Sequence, residues 1–218
     1  MEFVLFEKLA SIEGIELTML IVGVAAVIGL IIAAIAYSKK EHVTPQNNVK
    51  AMVYGALCVA LSFVLSYIKL FSMPIGGSLT LCSMLPICAY ACMFGPARGF
   101  TAAFAYGVLQ VIQGAWVVHW AQFLLDYFFA FTCYGVASLF PKKLAAGVTA
   151  AGILRLLCST LSGAIFFAEG AFEAGWSNAW LYSLAYNGST IGAETLLCVI
   201  VALLPAVKSM LERIRPEK

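Results

Sequence analysis

Three ionisable residues stand inside otherwise apolar runs of this 218-residue chain: Asp126 in "QFLLDYFFAF", Arg155 in "AGILRLLCST" and Glu194 in "IGAETLLCVI". An ionised side chain at the centre of a bilayer helix costs about 3 kcal/mol on insertion scales, so such groups face a bundle interior or a water-filled cavity. Each has polar company at helical spacing. His119, Gln122 and Asp126 fall at i, i+3 and i+7. Arg155, Ser159, Ser162 and Phe166 fall at i, i+4, i+7 and i+11, with Gly163 beside them, and Ser183, Asn187, Thr190 and Glu194 repeat those offsets. Residues three and four apart share a helix face, so three successive helices each carry one polar stripe.

Lipid offers these groups no hydrogen bonds, so the stripes are expected to converge inside a bundle. Two readings stay open at this point. Ser, Thr and Asn often do no more than join membrane helices. A carboxylate with Gln122 one turn away, however, reads as a functional site, and Glu194 divides evenly between function and packing or partner contact. Aromatic residues gather near the same helix ends: Trp116, Trp120, Tyr127, Phe166, Phe167, Trp176, Trp180, Tyr182 and Tyr186. An interfacial belt accounts for Trp176 and Trp180. Rings beside a buried carboxylate also suit a flat cationic heterocycle, through stacking and cation–π attraction, and the stripes together carry one net negative charge.

Other chemistries find little support. There is no G-x-x-x-x-G-K-[ST] phosphate loop, so energy for uphill transport would come from elsewhere. His42 and His119 are the two histidines, and no intramembrane Ser stands at general-base spacing from His119. The seven cysteines are scattered through apolar segments without a C-x-x-C pair and read as small buried hydrophobes. "NGS" at 187–189 fits a glycosylation sequon but lies inside an apolar segment. Neither a metal nor a cofactor is expected.

The elements that position these residues are membrane helices. The chain is 62% hydrophobic and 11% charged, with a mean hydropathy of +0.95, far from a soluble domain. Seven apolar segments near the length of a membrane crossing run about 17–37, 51–70, 79–95, 99–114, 119–140, 146–168 and 179–206. The third and fourth are short and separated by "FGPARG", which allows an irregular hairpin there. Ten of the 13 basic residues fall on alternate loops (Lys39, Lys40, Lys50, Arg98, Lys142, Lys143, Lys208, Arg213, Arg215 and Lys218). By the positive-inside rule those loops and the C-terminus are cytoplasmic and the N-terminus lies outside. The net charge of +2 then reflects membrane flanks and gives no reason to expect nucleic acid. The first segment follows Glu2, Glu7, Glu13 and Glu16 rather than a basic region, so it is expected to be a retained helix and not a signal peptide. The expected organisation is an extension over 1–50, one transmembrane helix plus the polar linker "KKEHVTPQNNVK", and a six-helix membrane domain over 51–218. Depth along the helices places a pocket between the stripes, open to the outside.

From about residue 50 onward the chain resembles the thiamine-specific substrate-binding component (S component) of energy-coupling factor transporters, the bacterial vitamin importers. The resemblance rests on "GALCVALSFVLS", "SMPIGGSLTLCSMLPI", "HWAQFLLDYFFAF", "LSGAIFFAEGAF" and "YSLAYNG". It implies an all-α, polytopic six-helix bundle, here with one extra N-terminal helix, in the bacterial plasma membrane. Such a protein captures thiamine from outside, has no enzymatic activity, and works with a transmembrane coupling protein and two cytoplasmic ATPases that use the ATP. It further implies a binding set of Asp126, Tyr127, Arg155, Tyr182 and Asn187, to which Gln122, His119, Trp116, Ser159 and Phe167 are added from the stripes and aromatic walls. Gly76, Gly77 and Ser78 would belong to a gate loop, and Ala56 and Ala60, spaced by four, would contact the coupling protein. Two departures stand out. Ser159 replaces a His common in the family, and Phe167 a stacking Trp. Alternatives to thiamine are therefore another small vitamin or a pyrimidine or thiazole precursor. A stand-alone ion-coupled carrier or a purely structural subunit are readings from other classes.

Overall fold

The structure, a computed structural model, describes residues 45–73 and 76–214, together with residues 21, 25, 28, 29, 32 and 36, which are helical. The rest of the N-terminal segment expected over 17–37, and the start of the polar linker, lie outside the described residues. Helix α1 (Pro45–Tyr67) opens on a proline, which tolerates a first helical turn because its missing N–H has no partner there anyway. A hairpin follows, β1 (Lys69–Ser72) and β2 (Ser78–Thr80), antiparallel with Lys69 opposite Thr80 and Ser72 opposite Ser78. Then come α2 (Leu85–Phe94), α3 (Pro96–Gly114), α4 (120–139), α5 (Leu144–Phe166), the short α6 (Ala168–Glu173), α7 (Ala179–Leu203) and α8 (Pro205–Ile214).

The result is a mostly helical bundle in which α1, α5 and α7 contain stretches long and apolar enough to cross a membrane. Their outward faces are greasy at helical spacing: Leu57, Leu61 and Val64 on α1, Ile153 and Leu157 on α5, and Leu196, Ile200 and Leu203 on α7 are all exposed. These are lipid-facing stripes, opposite the polar ones. The centre is close-packed around α2, where Ile87, Cys88 and Ala91 are fully buried against Tyr106, Tyr134 and Val148.

The third segment, expected as a helix from 79, begins its helix only at Leu85. Its first residues form β2 and a turn in which Cys82 has φ 55°. At ten residues α2 spans roughly 15 Å, about half a bilayer core. Apolar character alone does not distinguish a short strand from a helix start. The second segment likewise stops at Tyr67 rather than 70 because Lys69–Ser72 pairs as a strand, and α1 reaches back to Pro45, into the linker's last residues.

Two long helices change pitch. In α4 an α-helical turn (Trp120–Phe123) passes into a π-helical stretch (Leu124–Phe129), a short α-helical piece (Ala130–Thr132) and a 3-10 stretch (Cys133–Leu139). In α7 a π-helical turn (Gly188–Gly192) separates Ala179–Asn187 from Ala193–Leu203. Such turns disrupt the regular ladder and recur at functional sites. Here they hold Asp126 and Tyr127 in one helix and directly follow Asn187 in the other.

Candidate ligand-binding cavity

The polar stripes of α4, α5 and α7 meet α3 and the hairpin around a cavity of about 370 Å³, within the size range of small-molecule sites. Asp126 stands in its wall, where Gln122 Nε2 (2.8 Å) and Ser162 Oγ (2.7 Å) both donate to Oδ2. Gln122 also braces the segment before α4: its Nε2 donates to the Trp116 carbonyl (3.1 Å) and its Oε1 accepts from the Val118 N–H (3.2 Å). Tyr127 Oη accepts from the Trp116 N–H at 2.8 Å, which ties the π-helical stretch to the same segment. Trp116 and Tyr127 both line the cavity.

On α5 and its C-cap the lining residues are Arg155, Ser159, Gly163 and Phe167, spaced by four. Phe166, expected on this face, stacks instead on His119, with ring centroids 4.9 Å apart. The helix ends there, with Phe167 at φ −124°, so the face rotates at the last turn. Across from α5, Asn187 Nδ2 donates to the Ser159 carbonyl (3.2 Å) and the Ser183 carbonyl (3.0 Å), and Ser183 Oγ donates to the Thr160 carbonyl (2.8 Å). The whole α7 stripe, Ser183, Asn187, Thr190 and Glu194, lines the cavity, joined by Tyr182 and Tyr186.

Glu194, which spacing left undecided, is buried and central. Its Oε1 accepts from Thr80 Oγ1 (2.5 Å), the Ser83 N–H (3.0 Å) and Ser83 Oγ (2.8 Å), and its Oε2 pairs with Arg155 at 3.4 Å. Arg155 in turn donates to Tyr134 Oη and lies over the Phe131 ring, 4.6 Å from its centroid. The hairpin tip covers the cavity: Gly76, Gly77 and Ser78 line it, and Tyr186 Oη donates to the Gly76 carbonyl at 2.8 Å. Gly76 and Gly77 have φ of 90° and 79°, values that only glycine adopts at little cost.

Of the residues expected to bind a ligand, Trp116, Gln122, Asp126, Tyr127, Arg155, Ser159, Phe167, Tyr182 and Asn187 line one cavity. His119 does not. Its Nδ1 accepts from the Ala121 N–H at 3.1 Å, so it caps the first turn of α4. Ala56 and Ala60 line a separate shallow groove between α1 and α3, with Gly55, Arg98 and Thr101. A fourth polar stripe, Tyr106, Gln110 and Gln113 on α3, also lines the cavity and was missed. Its spacing of i, i+4 and i+7 inside an apolar segment was the available signal. Ser66 joins it, accepting from Gln110 Nε2 and donating to Gln113 Oε1, each at 3.0 Å. Among the described residues no group of three or more His, Cys, Asp or Glu side chains could hold a metal ion.

A helical bundle with lipid-facing flanks and a hairpin-covered polar cavity defines a multi-pass membrane protein built to hold a small polar solute. Comparison with known proteins narrows this class. A family model described as "Thiamine transporter protein" matches residues 52–212, and the chain belongs to that family, one of transporters rather than enzymes. Thiamine transporter ThiT of Bacillus subtilis (strain 168) is 30% identical over 168 residues, covering 68% of this chain and 86% of that protein. Thiamine transporter ThiT of Lacticaseibacillus paracasei is 29% identical over 138 residues, covering 54% and 68%. The solved structure of ThiT from Listeria monocytogenes superposes with a TM-score of 0.65 at 21% identity, covering 78% of this chain and 99% of that one, so the fold is shared.

Proposed function

We propose that this chain is the thiamine-capturing S component of an energy-coupling factor importer, taking the vitamin from the hairpin-covered end of the bundle, which faces outside. The observation that carries the reading is Asp126: a carboxylate in the cavity wall, held by two neutral donors and accompanied by aromatic rings along the same wall, in a chain of the thiamine transporter family. Thiamine joins a quaternary thiazolium to an aminopyrimidine. Asp126 faces one of these polar or cationic parts, Asn187, Tyr182 and Gln122 offer hydrogen bonds, and Tyr127 and Phe167 offer stacking faces. The family is one of transporters rather than enzymes, so the solute is bound and handed on unchanged.

Release inward falls to partners: a transmembrane coupling protein seated on the Ala56 and Ala60 groove of α1, and two ATPases below it. Small residues spaced by four let helices approach closely, which supports that docking face. The basic flanks support a cytoplasmic C-terminus and an N-terminal extension over 1–50 that starts outside. Ser159 and Phe167 favour a second reading, a pyrimidine or thiazole precursor as the guest, because Ser hydrogen-bonds without stacking.

Calorimetric titration of the purified protein with thiamine, a thiazole and an aminopyrimidine tests both readings. Tight one-to-one binding of thiamine, lost in Asp126→Ala and weakened in Asp126→Asn, is the expected result. Binding of a fragment but not of thiamine would replace the substrate, and equal thiamine affinity in Asp126→Ala would remove Asp126 from the site.

A further inference from the structure

Four Asp, Glu, Lys or Arg side chains line the cavity: Lys69, Asp126, Arg155 and Glu194. Lys69 lies on an exposed strand, where water screens it. The other three are inside, and they are arranged unequally. Arg155 and Glu194 have side chains only 14% and 2% exposed and pair at 3.4 Å. Asp126 is hydrogen-bonded by neutral groups, Gln122 and Ser162. Both members of the pair are pinned: Arg155 by Tyr134 Oη and the Phe131 ring, Glu194 by Thr80 and by two donors of Ser83.

We infer that Glu194 sets the charge selectivity of the cavity: by holding Arg155 in an ion pair it cancels that buried cation, so a guest meets the field of Asp126 alone. The inference rests on the thiamine-binding reading and adds to it a residue that decides between a cation and the same guest carrying a phosphate. Without Glu194, Arg155 would be an uncompensated guanidinium in a low-dielectric wall, and its planar fork matches phosphate oxygens. Arg155 still offers a guest hydrogen-bond donors; what Glu194 removes is its net charge. A unit charge about 8 Å from a guest, at an effective dielectric near 20, is worth roughly thirtyfold in affinity.

A purely bracing ion pair would weaken every guest alike, so the readout is a ratio. Thiamine and thiamine monophosphate are titrated into the purified full chain, and their affinities compared for wild type, Glu194→Gln, Arg155→Gln and the double variant. The expected result is a ratio shifted at least about tenfold toward the monophosphate in Glu194→Gln, at least about tenfold toward thiamine in Arg155→Gln, and within about threefold of wild type in the double variant. If Glu194→Gln yields too little folded protein, the other two variants carry the test, because the double variant leaves no buried charge unpaired. A ratio that stays within about twofold of wild type in the folded single variants overturns the inference while wild-type thiamine binding preserves the vitamin reading. Wild-type protein that binds neither compound overturns both.

Discussion

Replacing Gly163 by Ala tests how the site is assembled. An added Cβ would stand 2.2 Å from Ser183 Oγ, 3.2 Å from Ser183 Cβ and 3.5 Å from Asn187 Nδ2, so something has to move. One route rotates the Ser183 hydroxyl away and gives up its 2.8 Å bond to the Thr160 carbonyl. That leaves a buried hydroxyl unpaired, at a cost of about 1–3 kcal/mol, and the Cβ contact is still tight. The other route pushes α7 away from α5 by roughly 1 Å, an overpacking cost of similar size. The 3.2 Å bond from Asn187 Nδ2 to the Ser159 carbonyl is then stretched beyond hydrogen-bonding range. Either way the pair that aims Asn187 into the cavity is disturbed. Gly163→Ala is therefore expected to lower the melting temperature by several degrees and to weaken thiamine by about tenfold, the equivalent of about 1.4 kcal/mol. Scanning fluorimetry in detergent and calorimetry read the two effects. Adding Ser183→Gly removes both close contacts, and the double variant is expected to bind more tightly than Gly163→Ala alone. Unchanged affinity and melting temperature in Gly163→Ala would refute the reasoning.

Three further outcomes follow from contacts described above. Tyr186→Phe removes the hydroxyl that holds the Gly76 carbonyl, and it is expected to speed thiamine dissociation about fivefold with little change in association, as read by stopped-flow fluorescence. Ser162→Ala takes one of two donors from Asp126 and should weaken thiamine about five- to tenfold, whereas Ser162→Thr, which keeps a hydroxyl, should recover most of that in the same titration. Ala60→Leu, on the α1 groove, should leave binding to the isolated protein within twofold and abolish uptake in cells that supply the coupling protein and ATPases. Loss of binding in Ala60→Leu would move that face from docking to folding.

The sequence disclosed most of the bundle through hydropathy and period. Apolar runs near the length of a membrane crossing placed α5 and α7 almost to their ends, helical spacing marked their polar stripes, and Asp126, Asn187 and Arg155 were conspicuous because charge and amide groups are so costly in hydrocarbon. The hairpin was not legible in those terms. "SLTLCSM" is apolar enough to continue a helix, and what makes it a strand and turn is tertiary: Thr80 and Ser83 satisfy Glu194, more than a hundred positions away in sequence. The same interaction puts Glu194, which spacing alone left between packing and function, in the cavity wall. His119 stands outside the cavity lining, at the N-cap of α4, a position whose spacing to Gln122 is the same as that of a residue on the polar stripe. Tyr106, Gln110 and Gln113 were overlooked because Gln and Tyr carry no charge to draw attention, although their spacing was as regular as that of the other stripes.

The ties of the hairpin also set an order of events during biogenesis. Tyr186 to Gly76, Thr80 to Glu194 and Ser83 to Glu194 each join residues 110 to 114 positions apart, and all of them reach from the beginning of the bundle to its last long helix. A ribosome-bound chain that has released α1 through α5 already exposes Arg155 to the bilayer, yet the carboxylate that neutralises it has still to be synthesised. Until α7 inserts, the hairpin lacks these three ties and the guanidinium lacks Glu194, so the nascent protein relies on Tyr134, the Phe131 ring and snorkelling to shelter that charge. Helix α7 thus acts as the closing stitch of membrane insertion, and a chain truncated before it would leave an unsheltered cation inside the membrane for quality-control proteases to find.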